Sequence, residues 1–419
     1  MIGTRIRYYR KRSGLTLEQL SEGICSVSYL SKIEHGDKTS EDTIKLLCER
    51  LGISYKDVDN QEELDEINEL LDEWYSIIRD RNIVDANEKE KIIINRLNNI
   101  QDPILLLKFD LYKSRLLMIL GNTSEASSLL KGVEKFSDIL TTELQYFFFH
   151  FTGINFYNIE DFEKSIDYIK KAEYLLIHKL NLSEQEFADL YYHLSLSYIG
   201  SYSITKSINY AHKALTIFEK DYNLKRIADC QTLLGICNRR IYNYEQAKYH
   251  YNQALKFAEL YDDNERRGII HHNIGFVYSC QGNPEKAIEY LEKGQQFKSK
   301  ADLDPKNRCI TFHLLAKEYC AVKETKKAQK LIDQGIKLAK SFDLIDCYYD
   351  FKILDVRMNQ KEDYESILKE AIPYFKKIQR WDYVAEYAEE LANFYYDIRQ
   401  YKSASQFYRL ANDARKQIN

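Results

Sequence analysis

Apolar positions along this chain fall three and four residues apart. Leu30 and Ile33, then Ile44, Leu47 and Leu51, then Leu64, Ile67, Leu70 and Leu71 each mark one face of a helix. The run Leu20–Gly36 reads as the end of one short helix, a tight turn at Gly23, and a helix from about Val27 to His35 with Ser26 as its N-cap. Leu30 and Ile33 form its apolar back. Val27, Ser28, Ser31 and Lys32 fall mostly on the other side, with Tyr29 near the boundary. Upstream, Ile6–Gly14 reads as a helix closed by glycine, and Thr16 with Gln19 as a capping box. Ser40 caps a fourth helix. These short helices within about 58 residues, two of them joined by a tight turn, describe a helix-turn-helix. A small polar front with one lysine suits a DNA major groove. The plainer reading of that stretch by itself is any small helical hairpin.

The rest of the chain repeats. A small residue recurs in Ala126, Ser165, Ser207, Ala247, Ala287, Ala328, Ser366 and Ala404, at gaps of 38 to 42 residues. Twelve residues before each lies another, usually small: Ser114, Gly153, Ser195, Gly235, Gly275, Ala316, Leu354 and Ala392. Two small residues at fixed spacing are what two antiparallel helices need where they cross. Leu354 breaks the rule and makes the seventh copy the weakest. The expected fold is therefore all-α. Residues 1–58 form the helix-turn-helix, 59–75 an acidic helical linker, and 76–419 the repeat body.

Composition agrees. Four prolines and 15 glycines in 419 residues leave few turns for a strand-rich fold. No stretch approaches the ~20 apolar residues of a membrane span, and the N-terminus does not read as a secretory signal. The eight cysteines form no C-x-x-C pair and read as buried thiols in a reducing cytoplasm. The nine histidines show no ligand spacing, so no metal or other cofactor is inferred. Catalysis finds little support, because no phosphate loop or nucleophile elbow is present; the chain does not read as an enzyme. Residues 1–17 carry Arg5, Arg7, Arg10, Lys11 and Arg12 and no acid, whereas 57–78 carry nine acids and no base. One small basic face on a larger acidic body fits a nucleic-acid partner for the head alone.

The motifs then carry resemblances. Ile6–Val58 resembles the phage-repressor (Xre/Cro-like) type. The match lies in Arg7-x-x-Arg10, Gly14-Leu15-Thr16 with Leu20, the run Ser28-Tyr29-Leu30-Ser31-Lys32-Ile33-Glu34 and Leu51-Gly52-Ile53-Ser54. It departs at Gly23–Ser26, where the turn is about one residue short. The resemblance implies double-stranded DNA with inverted-repeat half-sites. Ser28 and Lys32 would read bases, Val27 would touch a thymine methyl, and Arg10, Thr16, Ser26 and Tyr29 would hold phosphates. The copy around Asn273-Ile274-Gly275, closing on Pro284-Glu285-Lys286-Ala287, resembles a tetratricopeptide repeat. That implies a right-handed superhelix whose first helices line a groove. Asn238 and Asn273 would grip a peptide backbone there, and Arg115, His193, Arg239, Arg240, His313 and Lys317 would take a carboxylate. The plainer reading of each is a solvated polar residue.

Head, connector and repeats together resemble the RRNPP group of peptide-pheromone regulators, and among them the neutral-protease-regulator type. The group implies a cytoplasmic transcription factor that binds a short re-imported oligopeptide and works as a homodimer or higher oligomer. The alternative, taken from its head-less relatives, is a scaffold that holds a response-regulator protein. The aromatic C-terminal segment, with Trp381, Tyr383, Tyr387, Phe394, Tyr395, Tyr396, Tyr401, Phe407 and Tyr408, suggests a subunit contact.

Overall fold

The computed structural model describes residues 2–37, 40–55, 61–98, 100–298, 305–359 and 363–418. Among them every regular element is a helix. The chain divides into two compact units, Met1–Asn223 and Leu224–Asn419.

The first unit begins with α1 (Ile2–Arg12), α2 (Leu17–Ser21), α3 (Val27–Glu34) and α4 (Glu41–Leu51). Ile6, Leu20, Leu30, Ile33, Leu47 and Cys48 form their core. The punctuation read from the sequence operates as expected here. Gly14 and Gly23 take positive φ, the Thr16–Gln19 capping box is closed, and Ser26 accepts from the Tyr29 amide at 3.2 Å. α1 crosses α3 at Gly3, where a Cβ would lie 2.1 Å from the Ile33 carbonyl oxygen, so no side chain fits.

The domain edge expected at 58 and 59 lies outside the described residues. The expected linker does not stop at 75: α5 (Gln61–Arg79) continues past it and turns back through α6 (Ile83–Leu97). Ile67, Leu71, Trp74, Tyr75 and Ile78 of α5 are buried in the body's core. This segment is an added helix pair, not a bridge. Of its acidic residues, Glu73 and Glu66 pair with Lys89 and Arg96 of α6, and Asp72 pairs at 2.6 Å with Lys108 of α7 (Pro103–Ile119), which also donates to Asn68 at 2.7 Å.

With α7 begin the repeats: α7 with α8 (Thr123–Glu134), α9 (Thr142–Asn158) with α10 (Phe162–His178), and α11 (Glu184–Gly200) with α12 (Ile204–Lys220). The second unit continues with α13 (Leu224–Arg240) and α14 (Tyr244–Leu260), α15 (Asn264–Cys280) and α16 (Pro284–Lys298), and α17 (Pro305–Ala321) and α18 (Thr325–Ser341). It ends with α19 (Ile345–Asn359) and α20 (Tyr364–Lys377), then α21 (Trp381–Asp397) and α22 (Tyr401–Ile418). Within each unit successive first helices touch one another, and successive second helices make no comparable contact, so the first helices form the inner layer.

The small-residue pairs sit where the helices cross. A Cβ on Gly153 would meet Ile169 at 2.4 Å and the Ser165 carbonyl at 3.0 Å. Ser195 and Ser207 donate to each other's backbone carbonyls, each at 2.8 Å. The seventh copy departs from the expected register: Ser366 is exposed, and Leu354 is buried in the unit's core. The C-terminal rings mostly pack within the last two pairs. Phe375 stacks on Tyr383 at 4.5 Å and Tyr395 on Phe407 at 5.6 Å, leaving Tyr396, Tyr401 and Ile398 exposed. The cysteines are all free; five are buried, but Cys280 is exposed.

Candidate functional site

The head presents one outward face. Burial of Leu30 and Ile33 turns α3 so that Val27, Ser28, Tyr29 and Lys32 are exposed, with Ser26 and Thr16 exposed at two helix N-termini. Six of the seven residues expected at DNA are therefore on the surface.

Arg10 is not. It is buried beneath α3, with Nε at 2.5 Å and Nη2 at 2.8 Å from the two Glu34 carboxylate oxygens, and Nη1 at 3.0 Å from the Leu15 carbonyl. All three donating groups are committed, so the phosphate role expected of Arg10 is corrected: it clamps α1 to the end of α3. Glu34 is the partner the sequence reading missed, although its place in the helix, next to Ile33 and four after Leu30, could have shown that it turns inward. Arg50 is a second missed residue. It donates to the Leu20 carbonyl at 2.9 Å and the Glu22 carbonyl at 2.5 Å, bracing the short turn before α3.

Of the residues expected in the ligand groove, Arg115 and His193 lie in the first unit and are buried. They belong to one hydrogen-bonded chain that crosses four helices. Arg115 Nη2 is 3.2 Å from His193 Nε2, and His193 Nδ1 is 3.2 Å from His150 Nε2. His150 Nδ1 is 3.5 Å from the Tyr146 hydroxyl, which donates to Glu186 at 3.0 Å. Glu186 also accepts from Tyr75 at 3.2 Å and from Arg79 at 2.7 Å.

Arginine only donates, so His193 Nε2 must accept and its Nδ1 carries the proton. That proton faces His150, whose own Nδ1–H then faces Tyr146. Burial raises the Glu186 carboxyl's pKa, which Arg79 opposes; burial and then Glu186 push the Tyr75 and Tyr146 hydroxyls well up.

His150, Asp189 and His193 have the donor set of a cation site, with His193 Nδ1 3.5 Å from Asp189 Oδ2. A cation would need the Nδ1 lone pair, which would turn an Nε2–H against the Arg115 donor. The arrangement does not suit a metal. Nor are Arg115 and His193 at an open groove, and the contact role expected of them is corrected. The signal that would have found this cluster is the i, i+3, i+7 stripe of Glu186, Asp189 and His193 on one face of α11.

The second unit holds the other six. Asn238 is buried and donates one of its two amide N–H groups to the Leu234 carbonyl of its own helix at 2.9 Å. Arg239, half-buried on α13, lies 4.4 Å over the ring of Phe276 on α15. Asn273, half-buried on the same α15, makes no side-chain hydrogen bond with any described residue.

His313 and Lys317 come together in a small open cavity of about 60 Å³ between α17, α19 and α21, lined also by Asp350, Arg357, Glu386 and Tyr387. Burial, with Lys317 and Arg357 nearby, pushes His313 down to about 4, so at neutral pH it is an uncharged ring and not the cation expected. Burial pushes Asp350 up to about 7, against hydrogen bonds from Tyr387 and Tyr383. The cavity thus offers Lys317 and Arg357 as cations beside carboxylates that ionise reluctantly. Arg240 is half-buried on α13.

Comparison with known proteins agrees with this layout. Residues 6–58 match the HTH_3 helix-turn-helix family. Over 402 residues, 94% of this chain and 98% of the relative, the sequence is 33% identical to the transcriptional activator NprA of Geobacillus stearothermophilus. A Rap protein complexed with competence and sporulation factor shares the fold at TM-score 0.74 and 23% identity, covering 84% of this chain and 99% of that one. NprR in complex with its cognate peptide NprX does so at TM-score 0.65 and 21% identity, over 83% and 99%. The chain belongs to the RRNPP-type family of peptide-responsive regulators built from a helix-turn-helix head and tetratricopeptide repeats.

Proposed function

We propose that this chain is a cytoplasmic transcriptional regulator, not an enzyme, that binds operator DNA through α3 and a short signalling peptide on the first helices of its second unit. The observation that carries the reading is the exposed α3 face of Val27, Ser28, Tyr29 and Lys32, held out by buried Leu30 and Ile33 on a chain whose repeats match those of a transcriptional activator. A chain that pairs with itself would present two heads to an inverted repeat. The exposed Tyr396, Ile398 and Tyr401 offer an apolar edge for such pairing.

The head is tested with Lys32→Ala on a duplex selected by the wild-type chain from random sequence. Affinity should fall by about 1–3 kcal/mol and specificity should relax at one position per half-site. A loss spread evenly over all sequences makes Lys32 a phosphate contact instead.

For the groove, Asn273 supplies both a donor and an acceptor to a peptide backbone. With a peptide selected from a random heptapeptide library, Asn273→Ala should lose about 1–3 kcal/mol of affinity, roughly ten- to hundredfold. The melting temperature should stay put, because the Asn273 side chain makes no hydrogen bond among the described residues. Unchanged affinity in calorimetry removes Asn273 from the site.

A further inference from the structure

The head does not hang from a tether; it is packed on the first repeat. Arg7 and Lys11, one turn apart on α1, converge on the single carboxylate of Asp138 just beyond α8. Lys11 lies at 2.9 and 2.8 Å from its two oxygens, and Arg7 pairs with the second. Lys11 also donates to the Lys135 carbonyl at 3.0 Å, the C-cap of α8, where a cation is favoured by the helix dipole. Between these cations Tyr8 lays its ring on Phe136 at 4.7 Å. Tyr8 belongs to the core of the repeats and not to that of its own head. A second tie runs from the Ser54 amide to Gln101 Oε1 at 3.0 Å.

We propose that Asp138 and Phe136 form a latch through which the repeats set the orientation of the DNA-binding head, and that a ligand on the repeats acts on DNA binding by shifting it. This rests on the regulatory reading above. Two observations point to a joint that moves rather than a fixed weld. The ion pairs are partly open to water, with side-chain exposures of 18%, 27% and 31% for Arg7, Lys11 and Asp138, so each is weak enough to exchange. Beside the contact lies a cavity of about 360 Å³, lined by Tyr8, Arg12, Phe109 and Asp110 among others, which leaves α1 room to rock. The exposed residues of α3 take no part, so the latch aims the recognition helix without covering it.

The test compares the full wild-type chain with Asp138→Asn and Phe136→Ala. Each is titrated onto the selected duplex with and without the library-selected peptide, and amide exchange is followed in α1, α3 and α8. For the wild type, peptide should move duplex affinity by about tenfold in one direction. In the variants that shift should shrink to about threefold or less, with peptide affinity unchanged and α3 still protected. Exchange should quicken only where α1 meets residues 135–138 after α8. Variants that respond to peptide as fully as the wild type overturn the latch alone. A wild-type chain whose duplex affinity ignores the peptide overturns the regulatory reading, and the coupling with it.

Discussion

Arg10→Ala should unfold the head selectively, at a cost of about 3–5 kcal/mol, because it leaves Glu34 as a buried carboxylate without its partner. Both side chains are nearly out of water, 10% and 3% exposed, and each oxygen of Glu34 faces one guanidinium nitrogen. The Leu15 carbonyl loses its donor in the same step. Amide exchange reads the result directly. Protection in α3 and α4 should fall by on the order of a hundred- to a thousandfold, while α15 in the other unit keeps its rates. Replacing the pair together, Arg10→Met with Glu34→Leu, should restore most of the loss, since apolar groups of similar volume do not need each other. A phosphate contact behaves differently: DNA affinity would drop while exchange in the head stayed as it was.

The second large effect is expected at Glu186. Three donors converge on it, Arg79, Tyr75 and Tyr146, and it is 4% exposed. Glu186→Ala strands a partly buried guanidinium and two buried hydroxyls, and should cost the first unit about 3–5 kcal/mol. Glu186→Gln keeps an acceptor oxygen but loses the charge, and about 1–3 kcal/mol is expected. Urea unfolding followed by circular dichroism should show the midpoint falling in that order. Lys171→Ala, which breaks an ion pair between two exposed side chains, serves as the control and should leave the midpoint in place. Equal midpoints for Glu186→Ala and the control overturn this account of the cluster.

Much of the fold was legible because it rests on local signals. Gly14, Gly23, Thr16 and Ser26 act on their own neighbours in the chain, so their roles can be read without knowing what packs where. The paired small residues were legible for a similar reason, since a crossing such as Gly153 on Ser165 joins helices adjacent in sequence. The seventh copy failed where the rule lacked support, with Ser366 proving exposed.

What could not be read is what depends on distant partners. Arg10 looks like a surface cation until Glu34, 24 residues on, is seen beside it. Arg115 meets His193 from 78 residues away, and Lys11 meets Asp138 from 127. Charge and spacing alone cannot tell a side chain that faces a ligand from one that faces its own protein. The α3 residues escaped this ambiguity because Leu30 and Ile33 fix which way their helix turns.

The chain of hydrogen bonds from Arg115 to Glu186 also bears on descent. Arg115 only donates, Glu186 only accepts, and each of the three members between them donates to one neighbour and accepts from another, so the direction set at Arg115 runs through His193, His150 and Tyr146 to Glu186. A single replacement leaves some neighbour facing the wrong kind of group, and the substitutions that would relieve it lie on other helices. Among related chains these positions should therefore be inherited as a block. Lineages that lose one of the five should have lost the rest as well, and filled the space with apolar side chains.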